Sequence, residues 1–103
     1  MPDPTALSAE DRKLVTLARA TRARTGAAEG AAVRDLDGRT YAGATVALPS
    51  LQVSAVGVCL AMALSSGAKG LEAVVVMGAE TLAEVDAAAI REFAGDGVVV
   101  HLA

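Results

Sequence analysis

The fold is set by residues 51–77, LQVSAVGVCLAMALSSGAKGLEAVVVM, which hold no charged residue before Lys69. Leu51–Ser66 is apolar nearly all round, which predicts a buried helix, and Gly67 ends it. Leu71–Met77 is a short apolar run with three central valines and glycines on both sides, which predicts a buried strand. A buried helix followed by a buried strand is typical of an α/β domain.

A further helix is predicted before this segment, from about Ala9 to Thr25. Its apolar stripe recurs at helical spacing and comprises Leu14, Leu17, Ala18 and Thr21. Ser8 and Asp11 have the spacing of a capping box, with Asp in place of the usual Glu or Gln. Gly26 is a natural stop for this helix.

Two strands are predicted after this helix, at Ala31–Asp35 and Thr40–Val46. The Asp37-Gly38 pair between them is a strong turn signal, so the two strands should form an antiparallel hairpin. Pro49-Ser50 then marks a break before the buried helix.

The last two elements are predicted to be a helix and a strand. Thr81 and Glu84 have capping-box spacing at the start of a helix over about residues 82–94. One face of that helix carries Leu82, Val85, Ala89 and Phe93. Val98–Val100 is the last strand. The order αββαβαβ predicts a three-layer α/β/α domain with a mixed sheet, in which the later strands are parallel.

Length and composition exclude several classes of protein. The 103 residues fit one domain over 1–103, in which residues 1–8 are expected to be flexible. The hydrophobic fraction of 53% and the net charge of −3 exclude a disordered chain. One Cys excludes a disulfide scaffold, and one Cys with one His cannot form an ordinary Cys/His zinc site. Two aromatic residues are too few for a platform that stacks nucleobases.

The sequence favours a cytoplasmic protein that does not enter a membrane. Residues 1–10 lack the basic and apolar regions of a signal peptide, and the single Cys agrees with a reducing compartment. Residues 40–68 are uncharged, but Pro49, Ser50, Gln52 and Ser54 interrupt them. Only Ala55–Leu64 is uninterrupted, which suits a core helix better than a membrane span.

Several of these strings resemble the cytidine deaminase family. Residues 30–43, GAAVRDLDGRTYAG, resemble the family's hairpin "VGAAL…DGRIYTG". Residues 53–67, VSAVGVCLAMALSSG, align without gaps to the family's zinc helix "VCAERVAIFKAVSEG". Leu14, Leu17 and Ala18 match the family's opening "LIELARAA". The resemblance covers residues 12–77 well, and it implies the family's fold and its habit of forming dimers or tetramers.

The same resemblance implies that the family's chemistry is missing. The family's zinc ion activates water, and a glutamate that is not a ligand shuttles protons. The first ligand position falls on Ser54, the glutamate position on Val56, and the two cysteine positions on Ala83 and Asp86. The substrate contacts, which are a base-stacking Phe and ribose-binding Asn and Glu, fall on Ala27, Thr45 and Ala47. We therefore expect no bound metal, no cofactor and no catalytic residue of the deaminase type.

Three other reactive side chains are expected to have ordinary structural roles. Cys59 lies in an apolar helix with no charge to lower its pKa, so inert core is favoured over a nucleophile or a metal ligand. His101 is favoured as a surface or edge histidine over a catalytic base or ligand. Ser54 is favoured as a helix cap over a nucleophile, because no histidine lies near it in the sequence.

A basic segment stands out in an otherwise acidic chain. Residues 11–25 have a net charge of +4, carried by Arg12, Lys13, Arg19, Arg22 and Arg24. They are candidates for binding an anionic partner, RNA or the chain's own acidic face, and the alternative is a solvated helix surface. No aromatic residue lies between the arginines, and the pI is about 5.0, so nucleic acid is the weaker choice.

These observations leave three hypotheses about function. The first is a domain that has lost deaminase activity and serves in assembly, as a homo-oligomer or with another chain. The second is a protein that binds a nucleoside-like small molecule, or an enzyme of other chemistry, in the altered pocket. The third is a module that binds a partner through the basic helix.

Overall fold

The computed structural model describes residues 7–103. Residues 1–6, which are most of the segment 1–8 that was expected to be flexible, lie outside the described residues. Within 7–103 the chain forms three helices and six strands. In chain order they are α1 (Ala9–Thr25), β1 (Gly30–Asp35), β2 (Thr40–Ala44), β3 (Val46–Leu48), β4 (Leu51–Val53), α2 (Ala55–Ser65), β5 (Leu71–Met77), α3 (Glu84–Ala94) and β6 (Val99–Leu102).

Four of the strands form one mixed sheet in the order β2-β1-β5-β6. β1 is antiparallel to both of its neighbours, and β5 and β6 are parallel. The predicted hairpin, the mixed sheet and the parallel pair are therefore confirmed. β3 and β4 form a separate two-stranded hairpin.

The two faces of the sheet are covered by different helices. On one face Leu14 and Ala18 of α1 pack against Ala32, Ala73 and Val75. On the other face α2 and α3 pack against the remaining inward side chains, which are Ala31, Val33, Val74 and Val76. Consecutive valines of β5 thus fill both cores, because side chains alternate along a strand. The three-layer α/β/α architecture is confirmed.

Small residues allow α1 to lie close against β1. A Cβ at Gly30 would collide with the carbonyl oxygen of Ala18 and with the Arg22 side chain. The Cα atoms of the helix and the strand can therefore approach only because Gly30 has no side chain. This close approach is one structural consequence of the many small residues in the sequence.

The segment before α2 differs from the sequence prediction. The strand expected over Thr40–Val46 ends at Ala44, and the helix expected from Leu51 begins at Ala55. Residues 46–53 instead fold back on themselves around Pro49-Ser50, with Val46 opposite Val53 and Leu48 opposite Leu51. The apolar run did not distinguish a short hairpin from a helical turn, because periodicity alone does not separate them.

The helices are also less uniformly buried than the sequence suggested. α3 begins at Glu84 rather than Leu82, and Ala83 makes no side-chain cap bond. Val85, expected on the buried face, is 74% exposed, and the buried residues of α3 are Asp86 and Ile90. α2 was expected to be buried all round, yet Leu64 is 53% exposed. Both helices therefore present apolar side chains to solvent.

One buried carboxylate organises the β1–β2 turn. Asp35 is 1% exposed and accepts hydrogen bonds from the backbone N–H groups of Asp37 and Arg39, both at 2.9 Å, and from the Tyr41 hydroxyl at 3.0 Å. Burial raises the pKa of Asp35, but these hydrogen bonds outweigh it and leave the pKa below its ordinary value. Gly38, with φ of 85°, closes the turn in a conformation that favours glycine.

We predict that Asp35→Asn lowers the free energy of unfolding by about 1–3 kcal/mol at neutral pH, because a buried charge-assisted network is weakened. A carboxylate with a depressed pKa stabilises the fold above its unfolded value, about 3.9, and loses that contribution as pH falls below it. The difference between wild type and variant, measured by urea denaturation, should therefore narrow below about pH 4. Asp37→Asn, in the exposed part of the same turn, is the control, and an equal effect of the two substitutions would contradict the prediction.

Candidate functional site

The N-termini of α2 and α3 meet at a hydrogen bond between two residues that the sequence analysis singled out. The Ser54 hydroxyl donates to Oδ1 of Asp86 at 2.7 Å and accepts from the backbone N–H of Gly57 at 2.9 Å. Ser54 is the N-cap of α2, as expected. Asp86 lies in the first turn of α3 and is 7% exposed. Ser54 therefore caps the start of α2 and links this helix to α3.

The local sequence explains why this pair forms. Ser54 follows β4 directly, so the hydroxyl is positioned where the chain turns from strand to helix. Asp86 is placed in the first turn of α3, where the unpaired N–H groups and the helix dipole stabilise a carboxylate. Asp86 is also aligned with Ile90 on the face of α3 that points to the core.

The other two positions that align with the family's zinc ligands and proton shuttle, Val56 and Ala83, carry no polar side chain. Val56 is fully buried in the core between α2 and the sheet. Ala83 is the N-cap residue of α3 and is exposed. The structure therefore brings Ser54 and Asp86 into contact, places Val56 within the same helix turn as Ser54, and leaves a methyl group at the fourth position.

The three predicted substrate-contact positions have other surroundings. Thr45 lies between β2 and β3, where its hydroxyl accepts from the backbone N–H of Glu29 at 3.1 Å. Its own N–H donates to the carbonyl oxygen of Glu29, also at 3.1 Å, so Thr45 ties the loop before β1 to the end of β2. Ala27 is half-buried in that loop. Ala47 is exposed in β3, opposite Gln52.

Two clefts lie beside α3, and none of the seven predicted positions lines either of them. The larger, about 450 Å3, is the α2/α3 cleft, and it is lined by Gly57, Leu60, Ala61, Leu64, Ala89, Glu92 and Phe93. The smaller, about 170 Å3, is the α3/β6 cleft, lined by Leu82, Ala87, Ile90, Arg91, Gly95, Asp96, Val98 and Val100. The α2/α3 cleft was not predicted from the sequence, because the apolar pattern assigned the whole circumference of α2 to the core.

A charged cluster that the sequence analysis also missed joins α1 to three strands. Asp11 accepts from Arg34 at 2.9 Å and is 2.8 Å from Nε2 of His101. Nε of Arg34 is 3.6 Å from Glu72. Burial raises the pKa of Asp11, but the hydrogen bonds from His101 and Arg34 outweigh it, and the net pKa lies below the ordinary value. Asp11 lies on the buried stripe of α1, one step before Leu14, Ala18 and Thr21. That helical spacing was the signal in the sequence that the Asp11 side chain would face the sheet.

This cluster corrects two expectations. Ser8 caps α1 through a 3.0 Å bond from the N–H of Asp11, but the Asp11 carboxylate binds Arg34 and His101 where the capping-box pattern had implied a bond back to the cap. His101 does lie on the edge strand β6, but its side chain is only 24% exposed, because the ring turns toward Asp11.

The remaining reactive or charged side chains are accounted for locally. Cys59 is fully buried, and burial raises its pKa to about 12, as expected for inert core. Of the basic residues on α1, Arg12 donates to the carbonyl oxygen of Leu7 at 2.9 Å and Lys13 pairs with Glu10 at 3.3 Å. Arg22 is half-buried, whereas Arg19 and Arg24 are exposed. The five side chains therefore do not share one environment.

These features define a class of protein. The mixed sheet between α1 and the α2/α3 pair is the arrangement that the resemblance implied. The polar contact at the two helix N-termini was not predicted. The family model described as cytidine deaminase-like matches residues 7–103. The chain therefore belongs to the cytidine deaminase-like family. A comparison with curated proteins gives no match.

Solved structures with the same fold include bacterial cytidine deaminases. The cytidine deaminase from Mycobacterium leprae is 21% identical with a TM-score of 0.78, and the alignment covers 90% of this chain and 87% of that one. The cytidine deaminase from Mycobacterium tuberculosis is 22% identical, with a TM-score of 0.78 and coverage of 90% and 85%. The enzyme from Burkholderia pseudomallei is 22% identical, with a TM-score of 0.74 and coverage of 86% and 79%. At this identity the likeness establishes the fold.

The described residues contain neither a cluster of potential metal ligands nor a helix that could span a membrane. Within 7–103 there is no group of three His, Cys, Asp or Glu side chains placed to hold a metal ion. No helix in the same range has the length and apolar character needed to cross a bilayer.

We predict that Ser54→Ala lowers the free energy of unfolding by about 1–3 kcal/mol, because α2 loses its cap and buried Asp86 loses a hydrogen-bond donor. Ser65→Ala is the matched control, since Ser65 is an exposed serine at the other end of α2. Urea denaturation of the two variants measures the difference. Similar midpoints for both variants would mean that the contact between the helix N-termini is not a stabilising one.

Proposed function

We propose that this chain is a non-catalytic member of the cytidine deaminase-like family that serves in assembly. The observation that carries the proposal is the Ser54–Asp86 hydrogen bond. It joins α2 and α3 directly, at the place where the resemblance positions zinc ligands. In this view a side-chain contact between the helices has replaced the metal as the link between them.

The donor set at this place does not fit a zinc ion. A catalytic zinc site needs three protein ligands drawn from His, Cys, Asp or Glu. The three ligand positions hold a serine hydroxyl, an alanine methyl and one carboxylate. The hydroxyl is already engaged with that carboxylate at 2.7 Å. No step of a metal-dependent reaction can therefore be assigned to these residues.

The proton-shuttle position argues in the same direction. Deamination in this family relies on a glutamate that acts as general acid and base. Val56 stands at that position, has no ionisable group and is fully buried. A general acid or base must also reach the reacting atoms, and the buried carboxylate of α3, Asp86, is already hydrogen-bonded to Ser54.

Assembly is supported by the α2/α3 cleft. Its lining is apolar apart from Glu92, and it includes Leu64, which is 53% exposed, and the half-buried Phe93. Gly57 and Ala61 keep the surface of α2 low, so another helix can approach closely. A second copy is the occupant we favour, because one self-complementary patch then buries two apolar faces at once.

A cytoplasmic location agrees with the reduced, buried Cys59.

The first test is of chemistry. We expect the purified protein to contain only traces of zinc by metal analysis and to show no turnover of cytidine. The cytidine deaminase from Mycobacterium tuberculosis, assayed in parallel, is the positive control. Stoichiometric zinc or measurable deamination would overturn the proposal, and nucleoside binding without turnover would favour the small-molecule hypothesis instead.

The second test is of assembly. We predict that Leu64→Glu lowers the sedimenting mass of the protein, because a charge then faces an apolar surface across the contact. Val85→Glu is the control, since Val85 is more exposed than Leu64 but does not line the α2/α3 cleft. A wild-type protein that sediments as a monomer at high micromolar concentration, or equal effects of the two variants, would count against assembly through this cleft.

A further inference from the structure

The edge strand β6 carries a second surface, separate from the α2/α3 cleft. β6 ends the order β2-β1-β5-β6, so within residues 7–103 only one of its two sides is paired. The N–H of Ala103 donates to Val76 at 2.8 Å, and the carbonyl oxygen of Ala103 accepts from Gly78 at 3.3 Å. The backbone of Ala103 therefore faces β5.

The direction of Ala103 fixes that of the residues before it. Backbone groups alternate in direction along a strand, so His101 also faces β5. The backbone N–H and C=O groups of Val100 and Leu102 then point outward, away from the sheet. Neither residue has another backbone partner among the hydrogen bonds of the described chain. The edge thus offers two donors and two acceptors.

Within residues 7–103 this edge is short, but it lacks most of the other features that normally prevent pairing. Natural edge strands are protected by charged side chains, proline, bulges or a covering element. Residues 98–102 read Val-Val-Val-His-Leu and contain no Asp, Glu, Lys, Arg or Pro. Val99 and Leu102 are 49% and 44% exposed. His101 does not protect the edge, because its ring is turned toward Asp11 on α1.

We propose that β6 pairs antiparallel with β6 of a second copy about a twofold axis that passes through His101. Val100 then lies opposite the partner's Leu102, and each such pair exchanges two hydrogen bonds because both residues face outward. The twofold axis repeats the pair, so the joined edge gains four hydrogen bonds. This inference does not rest on the proposed function, because it uses a different surface of the chain.

The side chains of β6 are compatible with the same register. Val100 packs toward the core shared by α2 and α3, and Leu102 lies on the same face by alternation. Directly opposite side chains in an antiparallel pair are neighbours, so Val100 would contact the partner's Leu102 in two equivalent apolar pairs. On the other face the two His101 rings meet at the axis, and each retains the Asp11 of its own chain as a partner.

A second copy fits this edge better than an unrelated strand. The same two residues supply the outward donors, the outward acceptors and the exposed apolar side chain. An antiparallel twofold matches each of these with its complement without any further requirement on the partner. The α3/β6 cleft, which contains Val98 and Val100 in its lining, adjoins the strand and would be covered by the same contact.

Amide exchange tests the register residue by residue. In wild type at high concentration we expect the amides of Val100 and Leu102 to exchange slowly, and to lose that protection on dilution. The amides of His101 and Ala103 bond to β5, so they should remain protected at every concentration. Fast exchange at Val100 and Leu102 under all conditions, with His101 protected, would overturn the proposal without any variant being needed.

Substitution provides the second arm. Leu102→Lys places a charge on the edge while leaving the bonds of β6 to β5 in place. We expect it to halve the sedimenting mass of the β6-paired species and to abolish protection at Val100. Val85→Lys, at an exposed site on α3 away from β6, should do neither, and equal behaviour of the two variants would contradict the proposal.

The two surfaces can be tested independently. Loss of mass with Leu64→Glu but not with Leu102→Lys supports the α2/α3 cleft and overturns β6 pairing. The reverse result supports β6 pairing and overturns assembly through the cleft. If both the cleft contact and the β6 contact exist, Leu64→Glu and Leu102→Lys each retain one of them. The variant that carries both substitutions is then a monomer.

Discussion

The hydrogen bond between Ser54 and Asp86 fixes the geometry of one whole layer of this protein. Because it joins the first turn of α3 to the cap of α2 at 2.7 Å, it sets the rotation of α3 about its axis. With Asp86 directed at Ser54, Ile90 points into the core and Val85 points to solvent. The apolar cleft between the two helices follows from the same rotation. A buried carboxylate that kept no donor would be costly, so the serine and the aspartate depend on each other.

The buried framework was largely predictable from the sequence. Val74, Val75 and Val76 identified a strand covered on both faces, and Asp37-Gly38 identified the hairpin, because both signals depend on local chemistry. Ser54 was correctly predicted as a cap, since a serine before an apolar run is favoured at a helix start. The alignment to a related family assigned Ser54 and Asp86 to one site, but the hydrogen bond between them was not predicted.

The features that were not predictable depend on long-range contacts. Asp11 was assigned to a capping box by local spacing, yet its carboxylate binds Arg34 and His101, residues 23 and 90 positions away. The β3–β4 hairpin replaced the expected first turn of α2, and its strand pairs join residues that lie on either side of Pro49-Ser50. The solvent-facing side of α2 was missed for a related reason. An apolar helix surface is read as core unless the position of its neighbours is known.

The apolar side chains that α2 exposes to solvent bear on the question of what the chain does. In the related deaminases ionisable side chains stand at the positions that align with Val56 and Ala83, and neither residue of this chain is ionisable. Val56 gains stability because it is fully buried, whereas Leu64 and Leu102 leave about half of their surface in water and gain less from folding. Covering Leu64 and Leu102 by association would bury that apolar area, and this is the gain that the proposed role in assembly would draw on.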